Sequence, residues 1–224
     1  MKHFALEHPT YTRLHSEMTP WQEMAEEGLW SRLCFCILSS SVRHETASSV
    51  LKHMEETRLL DPNWMIATET SALQLAYEFS RPIFLPRKRD GAFSRYRFPN
   101  RRARDIVASA RFMYSQHTGV RSVLRNLSNG IQAREYLSEK VQGLGMKEAS
   151  HFLRDTKFSS SLAIIDTHVI KFLQDLSVLP RSRFRMEPKL YIQLEKILED
   201  IARSLGTNLA ILDIAIWNSM REGV

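Results

Sequence analysis

Lys147 and Asp166 are the side chains of this sequence whose positions best suit covalent chemistry. Lys147 stands two residues after Gly145, at the predicted N-terminus of a helix. Because the positive end of a helix disfavours an ammonium ion, a lysine there is a candidate amine nucleophile. Asp166 follows the apolar residues Ile164 and Ile165 and opens the next helical segment. Taken singly, each residue also has an ordinary interpretation: a solvated surface charge for the lysine and a helix N-cap for the aspartate.

His168 follows Asp166 by two residues, a spacing that also occurs in metal sites. No second group of His or Cys ligands supports that interpretation, so we predict no metal site and no organic cofactor. Cys34 and Cys36 are the only cysteines. Because they stand two residues apart on a predicted helix, they point in different directions, and we expect them to be buried and reduced.

A glycine turn precedes Lys147 and separates two helical patterns. The first pattern ends near Val141 and is followed by Gly143, Leu144 and Gly145. Glycines permit a positive φ and a close backbone approach, which predicts a tight turn with the leucine plugged between the helices. The turn amides and the next helix N-terminus can face a phosphate, which holds a nucleic-acid backbone without reading its sequence. An ordinary connection between two helices is the alternative.

The elements that must position these residues are predicted to be helices. Helical periodicity dominates the 224 residues and no pair of strands is visible, so we predict an all-α fold of one large domain or two packed lobes. Helices are predicted at 20–40, 43–56, 65–79, 101–116, 121–128, 131–141, 147–155, 166–176, 187–204 and 207–220.

Basic residues concentrate around the long connection between about 80 and 100. The formal net charge of +6 suits a polyanionic partner. The concentrated cations form either a phosphate-contacting surface or a solvated basic loop. They are Arg87, Lys88, Arg89, Arg95, Arg97, Arg101, Arg102 and Arg104.

The sequence gives no sign of a membrane or secretory protein. No apolar run is long enough to span a bilayer, and the N-terminus lacks the apolar core of a signal peptide. We therefore expect a cytoplasmic location.

Together, the glycine turn, Lys147, Asp166 and His168 resemble the helix-hairpin-helix DNA glycosylase superfamily, which includes endonuclease III. The four C-terminal cysteines with which endonuclease III binds an iron–sulfur cluster are missing here. A closer resemblance is to the type-2 8-oxoguanine DNA glycosylase/AP lyase family. The segments that carry it are 33–40 (LCFCILSS), 96–103 (YRFPNRRA), 143–154 (GLGMKEASHFLR) and 212–217 (LDIAIW).

The resemblance implies a single unit over 1–224, made of two helical lobes, with a helix-hairpin-helix motif at about 131–155. A cleft between the lobes would receive a damaged base, 8-oxoguanine, flipped out of double-stranded DNA. Asp166 would stabilise positive charge on the sugar, while the Lys147 amine displaces the base and forms a Schiff base that permits β-elimination. The expected protein is a monomer that needs no cofactor and associates with the nucleoid.

Motif matching supplies the other candidate site residues. Those expected at the DNA backbone are Gly143, Leu144, Gly145, Arg97, Arg101 and Arg102. Those expected in the base pocket are Trp217, Phe98 and Ser39. The tryptophan offers an aromatic face on which a base can stack, with a core tryptophan as the alternative. His168 and His151 are expected to brace the catalytic pair and the hairpin.

Two features depart from the family pattern. Family members usually end in a short basic tail whose terminal lysine helps hold the oxidised guanine, whereas residues 218–224 read NSMREGV. The basic connection at 86–97 is also unusually long. Two alternatives therefore stay open: a glycosylase of this fold for another damaged or bulky modified base, for example in phage or other foreign DNA, and a non-catalytic DNA-binding module. The joint presence of Lys147 and Asp166 favours an enzyme.

Overall fold

A computed structural model describes residues 19–182 and 184–222, except for the side chains of Arg221 and Glu222. The predicted 1–224 unit and the end of the predicted C-terminal departure extend beyond these ranges. Within them, the chain forms α-helices, one π-helical turn at Phe112–Gln116 and no β-strand, which confirms the all-α prediction. The helices are α1 Glu26–Ser39, α2 His44–Glu56, α3 Pro62–Ala67, α4 Ser71–Ser80, α5 Pro99–Arg111, α6 Val120–Arg125, α7 Gly130–Lys140, α8 Met146–Asp155, α9 Thr167–Asp175, α10 Pro188–Ser204 and α11 Leu209–Glu222.

Three predicted helices differ from the observed ones, and the one expected over 101–116 is α-helical only to Arg111, with the π-helical turn Phe112–Gln116 after it. The helix expected over 20–40 begins only at Glu26, because the Glu23 and Met24 amides both donate to the Pro20 carbonyl and close a separate turn. The helix expected over 65–79 is divided into α3 and α4. Ser71 begins α4, and its hydroxyl donates to the Met65 carbonyl at 2.8 Å, which closes the break between the two helices.

The core consists of two clusters of buried apolar side chains. One runs from Leu29 to Leu162 and the other from Ala163 to Ile216. Helix α1 is the central element of the first cluster, since all residues from 33 to 39 are buried and α2, α5, α6 and α8 pack around it. A helix that is apolar on every face requires such a position.

A buried ion pair joins the two clusters. Arg134 on α7 donates to Glu195 on α10 at 2.5 Å, and the same carboxylate accepts the Ala163 amide at 2.8 Å. The Arg134 side chain is 1% exposed and also lies over the Tyr191 ring. The pair therefore links the two clusters at the point where the chain passes from one to the other.

We predict that Glu195→Ala lowers the free energy of unfolding by about 3 kcal/mol, because it leaves the Arg134 charge buried without a partner. Urea denaturation measures this loss. Glu199→Ala on the same helix is the control, since its pair with Arg203 is exposed and should change stability by less than about 0.5 kcal/mol. Equal unfolding midpoints for the two variants would contradict the prediction.

Candidate active site

The turn between α7 and α8 is packed so closely that Gly143 cannot be replaced. Its φ is +90°, and an added Cβ would lie 2.9 Å from the Asp105 Cβ and 3.0 Å from the Ile37 Cγ2. Leu144 is 5% exposed and lies in the first core cluster. Its side chain therefore faces inward, and only its backbone is left to meet a ligand.

The prediction that Arg102 contacts DNA is wrong. Arg102 is 4% exposed, and its guanidinium lies 2.9 Å from the Asp105 carboxylate and 3.5 Å from the Gly143 carbonyl. Position 102 falls on the inward face of α5, so this arginine supports the glycine turn from behind. Arg101 stays outside, with its side chain 71% exposed and 3.8 Å from Asp105.

Sequence reasoning missed two further supports of the glycine turn, both on α5. Asp105 holds Arg102 beneath the turn, and Ser109 donates its hydroxyl to the Gln142 carbonyl at 3.0 Å. The Arg-x-x-Asp spacing of residues 102 and 105 is the signal that could have revealed the first, because residues three apart on a helix face each other.

A cleft of about 1000 Å³ lies in front of the turn. The α1–α2 connection, the beginnings of α8, α9 and α10, and part of α11 form its walls. Most of the predicted site residues other than those of the glycine turn line this cleft. These are Lys147, Asp166, His151, His168, Ser39, Arg97 and Trp217.

Lys147 is the second residue of α8 and enters the cleft from the helix N-terminus. Its side chain is 26% exposed, and its Nζ lies 3.9 Å from the Glu148 Oε1. Glu148 also accepts the Gly145 amide at 3.3 Å, which caps the helix start. The amine is thus held on a rigid helix while still accessible from the cleft.

Asp166 is the N-cap of α9. Its Oδ1 accepts the amides of His168 and Val169 at 2.9 and 3.0 Å. In the part of the chain that the structure describes, its Oδ2 accepts no hydrogen bond. The cap role and an electrostatic role in the cleft are therefore compatible, because they use different oxygens.

Asp213 is a second carboxyl near Asp166 that sequence reasoning did not single out. Burial raises the pKa of the Asp213 carboxyl; Arg154 opposes this rise and the Asp166 charge adds to it. Arg154 contacts the Asp213 Oδ2 at 2.8 Å and donates to the Ala210 carbonyl at 3.3 Å. These contacts fasten α11, which carries Trp217, to α8.

His151 lies one helical turn after Lys147, on the same side of α8. Its Nε2 is 3.3 Å from the Asp155 Oδ2, which also contacts Arg32 at 3.3 Å. Burial opposes protonation of the imidazole, but Asp155 and Cys36 outweigh it and raise the pKa of His151 to about 10. At neutral pH a partly buried cation therefore lines the cleft one helical turn after the lysine.

We predict that this histidine makes stability depend on pH. A raised folded-state pKa stabilises the protein fully below the ordinary histidine pKa of about 6.5, and the contribution is lost as pH rises through about 10. The difference in unfolding free energy between the wild type and His151→Gln should therefore shrink from pH 6 to pH 10.5 in denaturant titrations. A difference that is constant over this range would contradict the assignment of a protonated His151.

Of the three base-pocket candidates, two line the cleft and one does not. Trp217 is 36% exposed, lines the cleft and contacts the His168 ring edge-on at 6.4 Å between centroids. Ser39 also lines the cleft, and its hydroxyl donates to the Cys36 carbonyl. Phe98 does not line it, because it precedes α5 and packs against the first core cluster.

Cys34 and Cys36 are buried and unbridged, as predicted. Among the described residues, no group of three His, Cys, Asp or Glu side chains is placed to hold a metal ion. No helix within those residues is both long and apolar enough to cross a membrane.

The chain is similar to known proteins over most of its length. A family model described as 8-oxoguanine DNA glycosylase matches residues 12–207. Proteins named 8-oxoguanine DNA glycosylase/AP lyase match it at 29% identity in Korarchaeum cryptofilum (88% of this chain, 81% of the relative) and at 34% in Metallosphaera sedula (86% and 82%). The family resemblance expected from the sequence is thereby confirmed.

Solved structures agree with the sequence matches. The Methanocaldococcus jannaschii 8-oxoguanine glycosylase/lyase, in complex with DNA containing 8-oxoguanine, aligns with a TM-score of 0.74 at 25% identity, over 96% of this chain and 90% of that one. Tm1821, the 8-oxoguanine DNA glycosylase of Thermotoga maritima, aligns with a TM-score of 0.71 over 93% and 88%. This chain belongs to the 8-oxoguanine DNA glycosylase family.

Proposed function

We propose that this chain is a bifunctional DNA glycosylase/AP lyase that excises 8-oxoguanine from double-stranded DNA and nicks the strand. The observation that carries the proposal is the opening of Lys147 and Asp166, from two different helix starts, onto one cleft. The base and both activities are those named for its relatives, the 8-oxoguanine DNA glycosylase/AP lyases. The enzyme would act as a monomer at the nucleoid, without a cofactor.

The cleft suits an extruded base. Its volume of about 1000 Å³ is at the upper end of the range for small-molecule sites, which leaves room for a whole nucleoside. Extrusion costs a few kcal/mol of stacking and pairing. Cationic Arg97, which lines the cleft, would offset part of this cost through the phosphates beside the extruded nucleotide.

The first chemical step replaces the base by the lysine. The Nζ of Lys147 forms a bond to C1′ of the sugar as the bond from C1′ to the base breaks, and the electron pair leaves with the base. The Oδ2 of Asp166 stabilises the positive charge that develops on the sugar and receives a proton from the attacking amine. The departing base takes up one proton from solvent, which balances the proton that Asp166 receives and later returns to solvent.

The second step nicks the strand. The sugar ring opens to a Schiff base between Lys147 and C1′, which makes the C2′ protons acidic. Loss of one of them expels the 3′ phosphate oxygen, and water then hydrolyses the Schiff base to release the lysine. A module that only grips phosphate would need neither the amine nor the carboxylate in the cleft.

We predict that Trp217→Ala reduces kcat/KM for base excision by roughly 10- to 100-fold, because stacking on an aromatic face contributes about 1–3 kcal/mol per base. Trp217→Phe should keep most of the activity. On DNA that already lacks the base, the alanine variant should nick nearly as fast as wild type. An equal loss on both substrates would show that the residue supports the fold instead of the base.

A lesion panel tests the proposed function. Duplexes that differ only in one central base, 8-oxoguanine, guanine, uracil, an alkylated purine or a bulky modified pyrimidine, are incubated with the enzyme, and released base and nicked strand are both quantified. We expect release and nicking with 8-oxoguanine and little reaction with guanine. Preference for another base would support the alternative glycosylase, and binding without any nicking of abasic DNA would support the non-catalytic module.

A further inference from the structure

The connection between α4 and α5 contains an ordered hairpin. Phe84 and Ser94 exchange two backbone hydrogen bonds, at 3.0 and 2.8 Å, and the Lys88 amide donates to the Ala92 carbonyl at 2.8 Å. We call residues 84–95 the basic hairpin. The long basic connection seen in the sequence is therefore a defined structural element.

Hydrogen bonds within residues 88–92 close the tip of the basic hairpin. The Gly91 amide donates to the Lys88 carbonyl at 3.0 Å, and Gly91 has a φ of +83°, as in three-residue hairpin loops that end in a left-handed glycine. The Asp90 Oδ1 accepts the Ala92 amide at 3.0 Å. Its carboxylate, the only acidic group in residues 84–95, is thus bound to the turn.

Side chains anchor the base of the hairpin to the body of the protein. Phe84 is 1% exposed, and the Leu85 amide donates to the Ser49 hydroxyl of α2 at 3.1 Å. Just beyond the hairpin, the Tyr96 hydroxyl donates to the Leu38 carbonyl of α1 at 2.7 Å. The element is therefore held against the first core cluster before any partner binds.

Three of the four exposed cations of the hairpin have no folding role that the structure reveals; the fourth, Arg87, donates to the Gly91 carbonyl at 2.8 Å and lies over the Phe93 ring. Lys88, Arg89 and Arg95 are exposed and have no acidic partner within residues 19–182 and 184–222. Some other exposed cations have partners, such as Arg181 with Asp175 at 2.9 Å, so what distinguishes the three is that they are unpaired on an ordered loop. Unpaired cations on a preorganised loop are what a polyanion requires, since little entropy is lost on binding.

The hairpin also continues into the wall of the cleft. Two residues after Arg95, Arg97 lines the cleft that holds Lys147 and Asp166. A polyanion whose reacting unit enters the cleft would therefore extend towards the hairpin. The charges and their position both suit a nucleic-acid backbone.

We propose that the basic hairpin grips the phosphate backbone of the duplex beside the nucleotide held in the cleft, with Lys88, Arg89 and Arg95 as its contacts. The inference rests on the proposed DNA activity and adds a second interaction surface to it. Contacts of this kind release counterions and hold DNA of any sequence. The hairpin strengthens binding without taking part in the chemistry.

The test compares two triple variants with equal charge changes. The first is Lys88→Gln/Arg89→Gln/Arg95→Gln. The second, the control, replaces exposed cations that do not line the cleft. Its substitutions are Arg111→Gln, Arg125→Gln and Lys196→Gln. Fluorescence anisotropy measures Kd for a duplex with a stable abasic-site analogue at several salt concentrations.

We expect the hairpin variant to bind roughly 10- to 100-fold more weakly at low salt, and the slope of log K against log salt to decrease by about 0.9 for each lost phosphate contact. The control variant should bind like wild type. Nicking at saturating enzyme and the melting temperature should be unchanged in both. If the triple variant fails to fold, Lys88→Gln and Arg95→Gln singly should each decrease the slope by about 0.9.

Two results would overturn the inference. One is a hairpin variant whose Kd and salt slope equal those of wild type, and the other is an equal loss in both triple variants, which would reflect net charge alone. A wild-type protein that binds no DNA would instead refute the proposed function. The two failures are therefore distinguishable.

Discussion

Lys147→Gln is expected to lower the rate of strand nicking at an abasic site by roughly 10⁴-fold or more. Glutamine keeps most of the length of the side chain but has no nucleophilic amine, so no Schiff base can form. The side chain is partly exposed and, within residues 19–182 and 184–222, its Nζ pairs with no carboxylate except Glu148 at 3.9 Å, so the fold should be unaffected. Single-turnover nicking of a labelled duplex measures the effect.

A lysine on the neighbouring helix provides the matched control. Lys171 on α9 is exposed and does not line the cleft, so Lys171→Gln makes the same chemical change outside the site. It should nick at the wild-type rate, and both variants should bind the abasic-analogue duplex with near wild-type affinity. Normal nicking by Lys147→Gln would remove this lysine from the mechanism.

Asp166→Asn is expected to lower the rate of base excision by roughly 10³-fold, because the charge that stabilises the developing cation is lost from the cleft. Asparagine caps helices about as well as aspartate does, so it should still accept the His168 and Val169 amides. Stability should therefore remain near that of wild type. Base release under single-turnover conditions and thermal unfolding measure the two properties.

Asp166→Ala separates the cap from the chemistry. It removes the charge and the amide acceptor together, and should cost about 1 kcal/mol of stability in addition to the loss of rate. If Asp166 acts through its charge, the Asn and Ala variants should lose similar activity but differ in stability. An Asn variant that excises the base normally would leave Asp166 as a helix cap alone.

Local sequence signals predicted much of this molecule. The glycines at 143 and 145 marked the turn because their backbone freedom is a local property, and the helical periods bracketed α7 and α8 within one or two residues. Both Lys147 and Asp166 follow recognisable breaks between helices. The family resemblance predicted that both side chains would line one cleft. Without the resemblance, each residue was also compatible with a structural role.

Properties set by tertiary packing were not predictable in the same way. Arg101 and Arg102 are identical in type and adjacent in sequence, yet one is exposed and the other lies buried against Asp105, because the face of α5 decides between them. Phe98 lies just before α5 and packs against the first core cluster, a position that is likewise set by tertiary packing. Asp213 forms an ion pair with Arg154. Because Arg154 is distant in sequence, no local pattern predicts this pair.

Borohydride trapping followed by peptide mapping tests whether Lys147 is the nucleophile that joins the sugar. Wild-type protein is incubated with a duplex that contains 8-oxoguanine, reduced during the reaction and digested, and the DNA-modified peptide is identified by mass spectrometry. We expect one covalent adduct, on Lys147, formed together with released 8-oxoguanine. An adduct on another residue, or release of the base and nicking with no adduct at all, would contradict it.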